Sequence, residues 1–95
     1  VAVDVQGTVY VADSNAIRTI NPSGDVRTLA GGTDSGFVNA VGDQARFKTP
    51  IGVAVSKRGD VFVADANNHC IRRVTPQGVV TSVLSGRPSR STPRS

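Results

Sequence analysis

The chain alternates short apolar segments with clusters of glycine, proline and polar residues, and this pattern occurs twice. The first copy centres on the segment Gly7-Thr8-Val9-Tyr10-Val11-Ala12-Asp13, and the second on Gly59-Asp60-Val61-Phe62-Val63-Ala64-Asp65. Val61 follows Val9 by 52 positions, whereas Ile71 follows Ile17 by 54, so the second copy has two extra residues in the intervening turn. A repeat of this length is typical of stacked supersecondary units.

Each copy is expected to form four short strands, because proline- and glycine-containing turns divide the apolar segments. The predicted strands are residues 1–5, 8–13, 16–21 and 26–30 in the first copy and 52–56, 60–65, 70–75 and 79–84 in the second. The second strand of each copy is apolar at consecutive positions, which predicts cover on both faces, whereas the fourth mixes polar and apolar residues like an edge strand. No segment has the 3.6-residue period of a long amphipathic helix.

This pattern predicts an all-β fold made of two four-stranded antiparallel blades of a β-propeller, in an incomplete ring. The first blade covers residues 1–32, with a first strand that is expected to be truncated. An inter-blade loop covers residues 33–51, and Phe37 and Phe47 are expected to anchor it. The second blade covers residues 52–86, and residues 87–95 are predicted to be a disordered basic tail.

Charge and composition exclude several classes. The net charge is +4, but residues 87–95 contain three arginines, so the remainder has 8 basic and 7 acidic residues. A strongly basic nucleic-acid-binding domain is therefore not indicated. No apolar run is long enough to cross a membrane, and the single cysteine leaves the cellular compartment undetermined. The chain has no methionine and begins within an apolar strand pattern, which favours a fragment of a longer protein.

The second copy resembles an NHL repeat. The similarity lies in Gly52-Val53-Ala54-Val55, in the strand that ends in Ala64-Asp65, and in the turn Asn67-Asn68-His69-Cys70-Ile71-Arg72. The first copy departs from the family pattern, since its turn Asn15-Ala16-Ile17 has no histidine. The resemblance implies a propeller of about six blades and a non-catalytic scaffold, without a cofactor, that binds another protein. Alternatives are part of a metal-dependent lyase-like or lactonase-like propeller, or an RNA-binding NHL propeller.

Several recurring polar residues are interpreted as structural. Asp13 and Asp65 are expected to cap the turns that follow their strands, and Asn15, Asn67 and His69 are expected to stabilise the same turns. His69 and Cys70 are adjacent and so point to opposite sides of an extended segment, and two ligands are too few for zinc. No metal site and no catalytic residue are therefore predicted.

Residues 31–49 are the first choice for a contact surface, because they form the longest irregular segment. The candidate binding residues are Asp34, Phe37, Asn39, Arg46, Lys48, Arg72 and Arg73. The strand arginines, including Arg18, are expected to be solvated or weakly paired with an aspartate. Self-association is also expected, because two blades leave both outer sheet faces uncovered.

Overall fold

The computed structural model describes residues 1–85 and confirms an all-β fold of two four-stranded antiparallel sheets, which do not form a closed ring. The first sheet contains β1 (Ala2–Val3), β2 (Val9–Asp13), β3 (Ala16–Ile20) and β4 (Val26–Gly31) in sequence order. The second contains β5 (Pro50–Val55), β6 (Val61–Asp65), β7 (Cys70–Val74) and β8 (Val80–Ser85). The tail predicted for residues 87–95 lies outside the described residues. Within residues 1–85, no helix has the length and hydrophobicity needed to span a bilayer.

The two sheets share one strand register, which is the structural counterpart of the sequence repeat. Asp13 pairs with Ala16 as Asp65 pairs with Cys70. Both sheets also have a register shift between the isoleucine and the arginine of their third strand. The two extra residues of the second copy lie in a 3-10 turn (Ala66–Asn68), which His69 closes in a left-handed conformation with φ 55°. Equivalent residues therefore point to equivalent faces of the two sheets.

The core lies between the sheets. Its buried apolar side chains come from β2, β3 and β4 of the first sheet, from β6, β7 and β8 of the second, and from the loop between the sheets. They are Ile17, Ala30, Ala45, Phe47, Val61, Val63 and Val74, and Tyr10 and Val80 are almost as deeply buried. The inner strand β5 contacts both β1 and β2, so the sheets meet along their first strands. The loop fills the space between them farther out.

Only one face of each sheet is covered in this way. Val61 and Val63 are fully buried, but Phe62 and Ala64 on the opposite face of β6 are only half-buried. Val9 and Val11 of the first sheet are also half-buried. No element within residues 1–85 packs on the outer faces, as expected for two blades of an incomplete ring. Within residues 1–85, the apolar strand residues are therefore fully buried only where the two sheets face each other.

Gly31 ends β4 at the point where the chain turns towards the second sheet, and its φ of 86° is in the left-handed region. A Cβ at this position would lie 2.5 Å from the carbonyl oxygen of Asn15 and 2.9 Å from the ring of Phe47. Gly24 has a similar φ of 90°, but no heavy atom lies within 4 Å of its virtual Cβ.

Gly31→Ala is therefore expected to destabilise the protein more than Gly24→Ala. Backbone strain alone is expected to lower the free energy of unfolding by about 1–2 kcal/mol in Gly24→Ala. The steric clash should raise the loss to about 3 kcal/mol or more in Gly31→Ala. Urea denaturation of both variants measures the difference, and equal losses would show that the contact with Asn15 and Phe47 relaxes without penalty.

Candidate functional site

The inter-blade loop, residues 32–49 in the structure, is held along the outer edge of the second sheet. The N–H of Val80 donates to the carbonyl of Ala40, and the N–H of Gly42 donates to the carbonyl of Gly78, both at 2.8 Å. Val41 pairs with Val79 in an isolated antiparallel bridge. The loop thereby satisfies backbone groups at the start of β8, which would otherwise be an open sheet edge.

The loop is also closed on itself. Val38 and Arg46 exchange backbone hydrogen bonds, and the N–H of Gly36 donates to the carbonyl of Phe47 at 2.9 Å. A 3-10 turn (Gly42–Gln44) reverses the chain between these pairs. This turn begins at Gly42 with φ 57° and has no side-chain cap. The loop is a folded unit rather than an irregular connection.

Arg72 lies at the centre of the contact between this loop and the second sheet. Its side chain is fully buried, and it donates five hydrogen bonds. Three go to the loop backbone carbonyls of Val38 and Arg46 and to the carboxylate of Asp65, at 2.7–2.9 Å. The other two join Nε and one terminal nitrogen to Oδ1 of Asn39, at 3.2 and 2.8 Å. A guanidinium has five N–H donors, so Arg72 has a partner for each of them.

Two aromatic rings complete the surroundings of this guanidinium. Its central carbon lies 4.5 Å from the ring centroid of Phe37 and 4.9 Å from that of Phe47, within cation–π range. Arg72 is therefore a structural residue that fixes the loop. The expectation that Arg72 is solvated is wrong, because the loop covers its side chain completely.

Asp65 has a different role from the one predicted. Its carboxylate accepts hydrogen bonds from the N–H of Lys48, the side-chain amide of Asn68 and Arg72, each at 2.7 Å. It does not cap the 3-10 turn that follows it. The capping prediction is wrong because a fully buried carboxylate needs a cation and several donors, and the turn alone cannot supply them. Asp13 likewise contacts Arg18, at 3.4 Å, although both side chains are partly exposed.

The three remaining turn residues lie at the two ends of the loop. Asn15 accepts a hydrogen bond from the N–H of Thr49 and donates to the carbonyl of Thr33, so it joins both loop ends to the first sheet. Asn67 donates to the hydroxyl of Thr49 at 2.8 Å. His69 is exposed, and its backbone N–H closes the turn by donating to Ala66.

The candidate binding residues are only partly brought together. Phe37, Asn39 and Arg46 all contact the guanidinium of Arg72. Asp34 and Lys48 are exposed near the two ends of the loop. Arg73 is on the opposite face of β7, where it pairs with Asp60 at 2.9 Å.

The structure shows an exposed apolar group on this loop and at its contact with β8. Sequence reasoning selected only Phe37 from it, although the valines on either side of Asn39 were a usable signal. The members of this group are Phe37, Val38, Val41 and Val79, which we call the loop patch, and they are 37–55% exposed. A patch of this kind on an ordered loop is typical of an interaction surface.

The chemistry of the site is that of recognition. Within residues 1–85, no three histidine, cysteine or acidic side chains lie close enough to hold a metal ion. One described pocket lies on the outer face of the first sheet, beside Asp13, Arg18 and Thr28.

A polar network in the first turn links Asp4 to Tyr10. The Asp4 carboxylate accepts the N–H groups of Gln6 and Thr8 and the hydroxyl of Tyr10, all at 2.9 Å. The backbone hydrogen bond from Thr8 is the main cause that lowers the pKa of Asp4. Burial, together with the neighbouring Asp4 carboxylate, raises the pKa of Tyr10 to about 12.

Stability is therefore expected to fall at alkaline pH. An unfolded tyrosine has a pKa of about 10, so the contribution of neutral Tyr10 is complete below that pH and is lost as the pH rises towards 12. The difference in unfolding free energy between the parent chain and Tyr10→Phe should change by roughly 2 kcal/mol over this interval. Tyr10 is the only tyrosine, so tyrosinate absorbance reports its titration directly. A titration midpoint near pH 10 in the folded chain would contradict the expectation.

Comparison with known proteins supports the resemblance to the NHL repeat. The family model of the NHL repeat matches residues 47–74, which include β5, β6 and β7. The protein SUPPRESSOR OF QUENCHING 1, chloroplastic, of Arabidopsis thaliana is 37% identical over 71 residues, which cover 72% of this chain and 7% of that protein. NHL repeat-containing protein 2 of Bos taurus is 36% identical over 89 residues, which cover 82% of this chain and 12% of that protein.

Solved structures share the fold. An auxiliary nutrient binding protein from Bacteroides thetaiotaomicron aligns with a TM-score of 0.67 and 26% identity, over 79% of this chain and 22% of that one. A protein of the same description from Bacteroides ovatus aligns with a TM-score of 0.65 and 22% identity over the same shares. The chain thus spans less than a quarter of the length of each of these proteins.

Proposed function

We propose, from its membership of the NHL-repeat β-propeller family, that this chain acts as a non-catalytic scaffold that binds another protein. The binding surface in this proposal is the loop patch. The observation that carries it is the combination of exposed apolar side chains with a loop that is fixed from beneath by Arg72.

The fixed backbone supports the proposal for an energetic reason. A flexible loop loses conformational entropy when it binds, whereas a pre-organised one does not. The loop patch lies on a segment whose backbone is tied to β8 at Val80 and to Arg72 at Val38. Phe37 shows a ring to solvent at 49% exposure while its other face is held against Arg72. Aromatic side chains, phenylalanine included, are enriched in protein–protein interfaces relative to the rest of the surface.

The proposal is tested with the full-length protein carrying a photo-crosslinking amino acid at position 37 or 41. Val5, which is 83% exposed in the turn before β2, is the matched control position. We expect one protein partner to be crosslinked in cells from positions 37 and 41 and not from position 5.

The affinity of that partner is then measured with two variants. Phe37→Ser with Val41→Ser is expected to weaken binding about tenfold or more, because exposed apolar anchors contribute most at such interfaces. Val5→Ser should leave the affinity unchanged. Equal crosslinking from all three positions, or a partner that binds the double variant as well as the parent, would reject the loop patch. Chelator-sensitive turnover by the same protein would instead favour an enzyme.

A further inference from the structure

The backbone of the loop alternates between paired and open groups along residues 36–42. Every second residue of this range makes backbone hydrogen bonds to the rest of the protein, and these residues are Gly36, Val38, Ala40 and Gly42. Their partners, in the same order and at 2.8–3.3 Å, are Phe47, Arg46, Val80 and Gly78. In a β-strand, the backbone groups of successive residues point alternately to the two edges. Residues 36–42 are therefore a strand-like segment that is paired along one edge.

The other edge of this segment is open. Within residues 1–85, the backbone N–H and carbonyl groups of Phe37 and Asn39 have no hydrogen-bond partner, and neither does the N–H of Val41. These three residues are exposed. The carbonyl of Val41 accepts a hydrogen bond from Gln44, so the open edge ends there. An open strand edge of this kind is a template for pairing with another chain.

The elements that surround this segment all belong to residues 1–85. The loop leaves β4, follows the start of β8 and covers Arg72. Arg72 pairs in register with Val63, so the face that the loop covers is the one turned towards the first sheet. In a propeller, the preceding and following blades pack on the outer faces of these two sheets. They approach from other sides, so the open edge is not their contact surface.

We propose that a partner protein binds the loop patch by adding an extended segment along residues 37–41, so that its backbone pairs with the open edge. This inference rests on the function proposed for the loop patch and specifies the form of the partner. Backbone hydrogen bonds to Phe37 and Asn39 give affinity, and alternate side chains of the partner give specificity. The partner carries apolar β-branched residues beside Val38 and Val41, because such cross-strand pairs are favourable.

The attachment of the segment favours this mode of binding. Arg72 donates to the carbonyl of Val38, and the N–H of Val80 donates to the carbonyl of Ala40. The open edge is therefore formed before a partner arrives. A preformed edge loses less conformational entropy on binding than a loop that becomes ordered in the complex.

The first test uses the 95-residue chain and the synthetic peptide Lys-Thr-Ile-Thr-Ile-Thr-Lys, acetylated and amidated at its ends. Nuclear magnetic resonance follows the backbone N–H signals of the chain during titration. We expect saturable downfield proton shifts for Phe37 and Asn39, because their N–H groups gain acceptors. The shift of Val38 should be much smaller, since its N–H is already bonded to Arg46. The same peptide with N-methyl groups on its three central residues should bind about tenfold more weakly, because it lacks the donors.

The second test uses the full-length protein and the partner that is crosslinked from the loop patch. Replacement of Phe37 by phenyllactic acid, its α-hydroxy analogue, converts the backbone amide into an ester, which removes the N–H and keeps the ring. We expect the affinity to fall about three- to tenfold, which corresponds to the loss of one backbone hydrogen bond. The analogous ester at Val5, whose N–H also has no partner within residues 1–85, is the matched control and should bind like the parent.

The outcomes separate this inference from the function proposed for the loop patch. A partner that is weakened by Phe37→Ser with Val41→Ser but binds the Phe37 ester like the parent would uphold the loop patch and overturn the added strand. If no partner is crosslinked, the loop patch is rejected, and the peptide titration alone decides whether the edge accepts a strand. Equal affinity for the N-methylated peptide, or the absence of saturable shifts at Phe37 and Asn39, would overturn the inference.

Discussion

Replacing Arg72 with alanine is expected to lower the free energy of unfolding by about 3–5 kcal/mol, because it leaves the buried carboxylate of Asp65 without its cation. Both side chains of this pair are fully buried, at 2.7 Å. The substitution also leaves the carbonyls of Val38 and Arg46 without the donor they have now. Urea denaturation followed by circular dichroism measures the loss, and the loop should become accessible before the sheets unfold.

Two arginines of the same chain serve as controls for this effect. Arg73 is the next residue and pairs with Asp60, with 46% of its side chain exposed. Arg18 occupies the position of Arg72 in the first repeat, with 38% of its side chain exposed. Exposed pairs contribute little, so Arg73→Ala and Arg18→Ala are each expected to change stability by less than about 1 kcal/mol. Three equal losses would contradict the special position of Arg72.

Replacing Phe47 with alanine is expected to lower the free energy of unfolding by about 3–5 kcal/mol as well, for a different reason. Phe47 is fully buried in the core between the sheets, and truncation of a buried phenylalanine leaves a cavity. The same ring packs against Arg72, so the loop should also lose part of its attachment. Phe37→Ala is the matched control, because Phe37 contacts the same guanidinium while half exposed, and its loss should be about 1 kcal/mol.

Limited proteolysis separates the two consequences of the Phe47 substitution. Arg46 and Lys48 flank Phe47, and both are sites for trypsin. We expect cleavage at these two residues to accelerate in Phe47→Ala under conditions in which the sheets remain folded. Equally fast cleavage at Arg18 in β3 or at Arg73 in β7 would show instead that the loop and the sheets unfold together.

Much of the fold follows from the repeat. The strand order, the antiparallel pairing and the wetter fourth strands were predictable, because apolar segments and Pro-x-Gly turns recur at matching positions. The expected importance of Phe47 as an anchor is also consistent with its complete burial. Local sequence suffices for these features, because each depends on residues within one repeat.

The roles of Asp65 and Arg72 could not be predicted in the same way. Arg18 and Arg72 occupy equivalent positions in the sequence and in the sheets, yet only Arg72 is buried. The difference is due to the loop, which folds back on the second sheet, whereas no segment within residues 1–85 covers the same face of the first sheet. Burial at these positions is therefore a property of the contact between units, and residue type and repeat position do not reveal it. The expectation that Asp65 caps a turn was wrong for the same reason, because its carboxylate is committed to the loop and to Arg72.

The two sheets pack through faces that are not equivalent. The face of the first sheet that carries Ile17 lies against the face of the second that carries Val63, so the two uncovered faces at the outside differ from each other. The outer face of the second sheet carries Phe62 and Ile71, and the outer face of the first carries Val9 and Arg18. A two-fold symmetric dimer through either face would bring like against like and reproduce none of the internal contacts. Growth by repetition of the internal contact is polar, and each added copy presents the same unlike pair of ends.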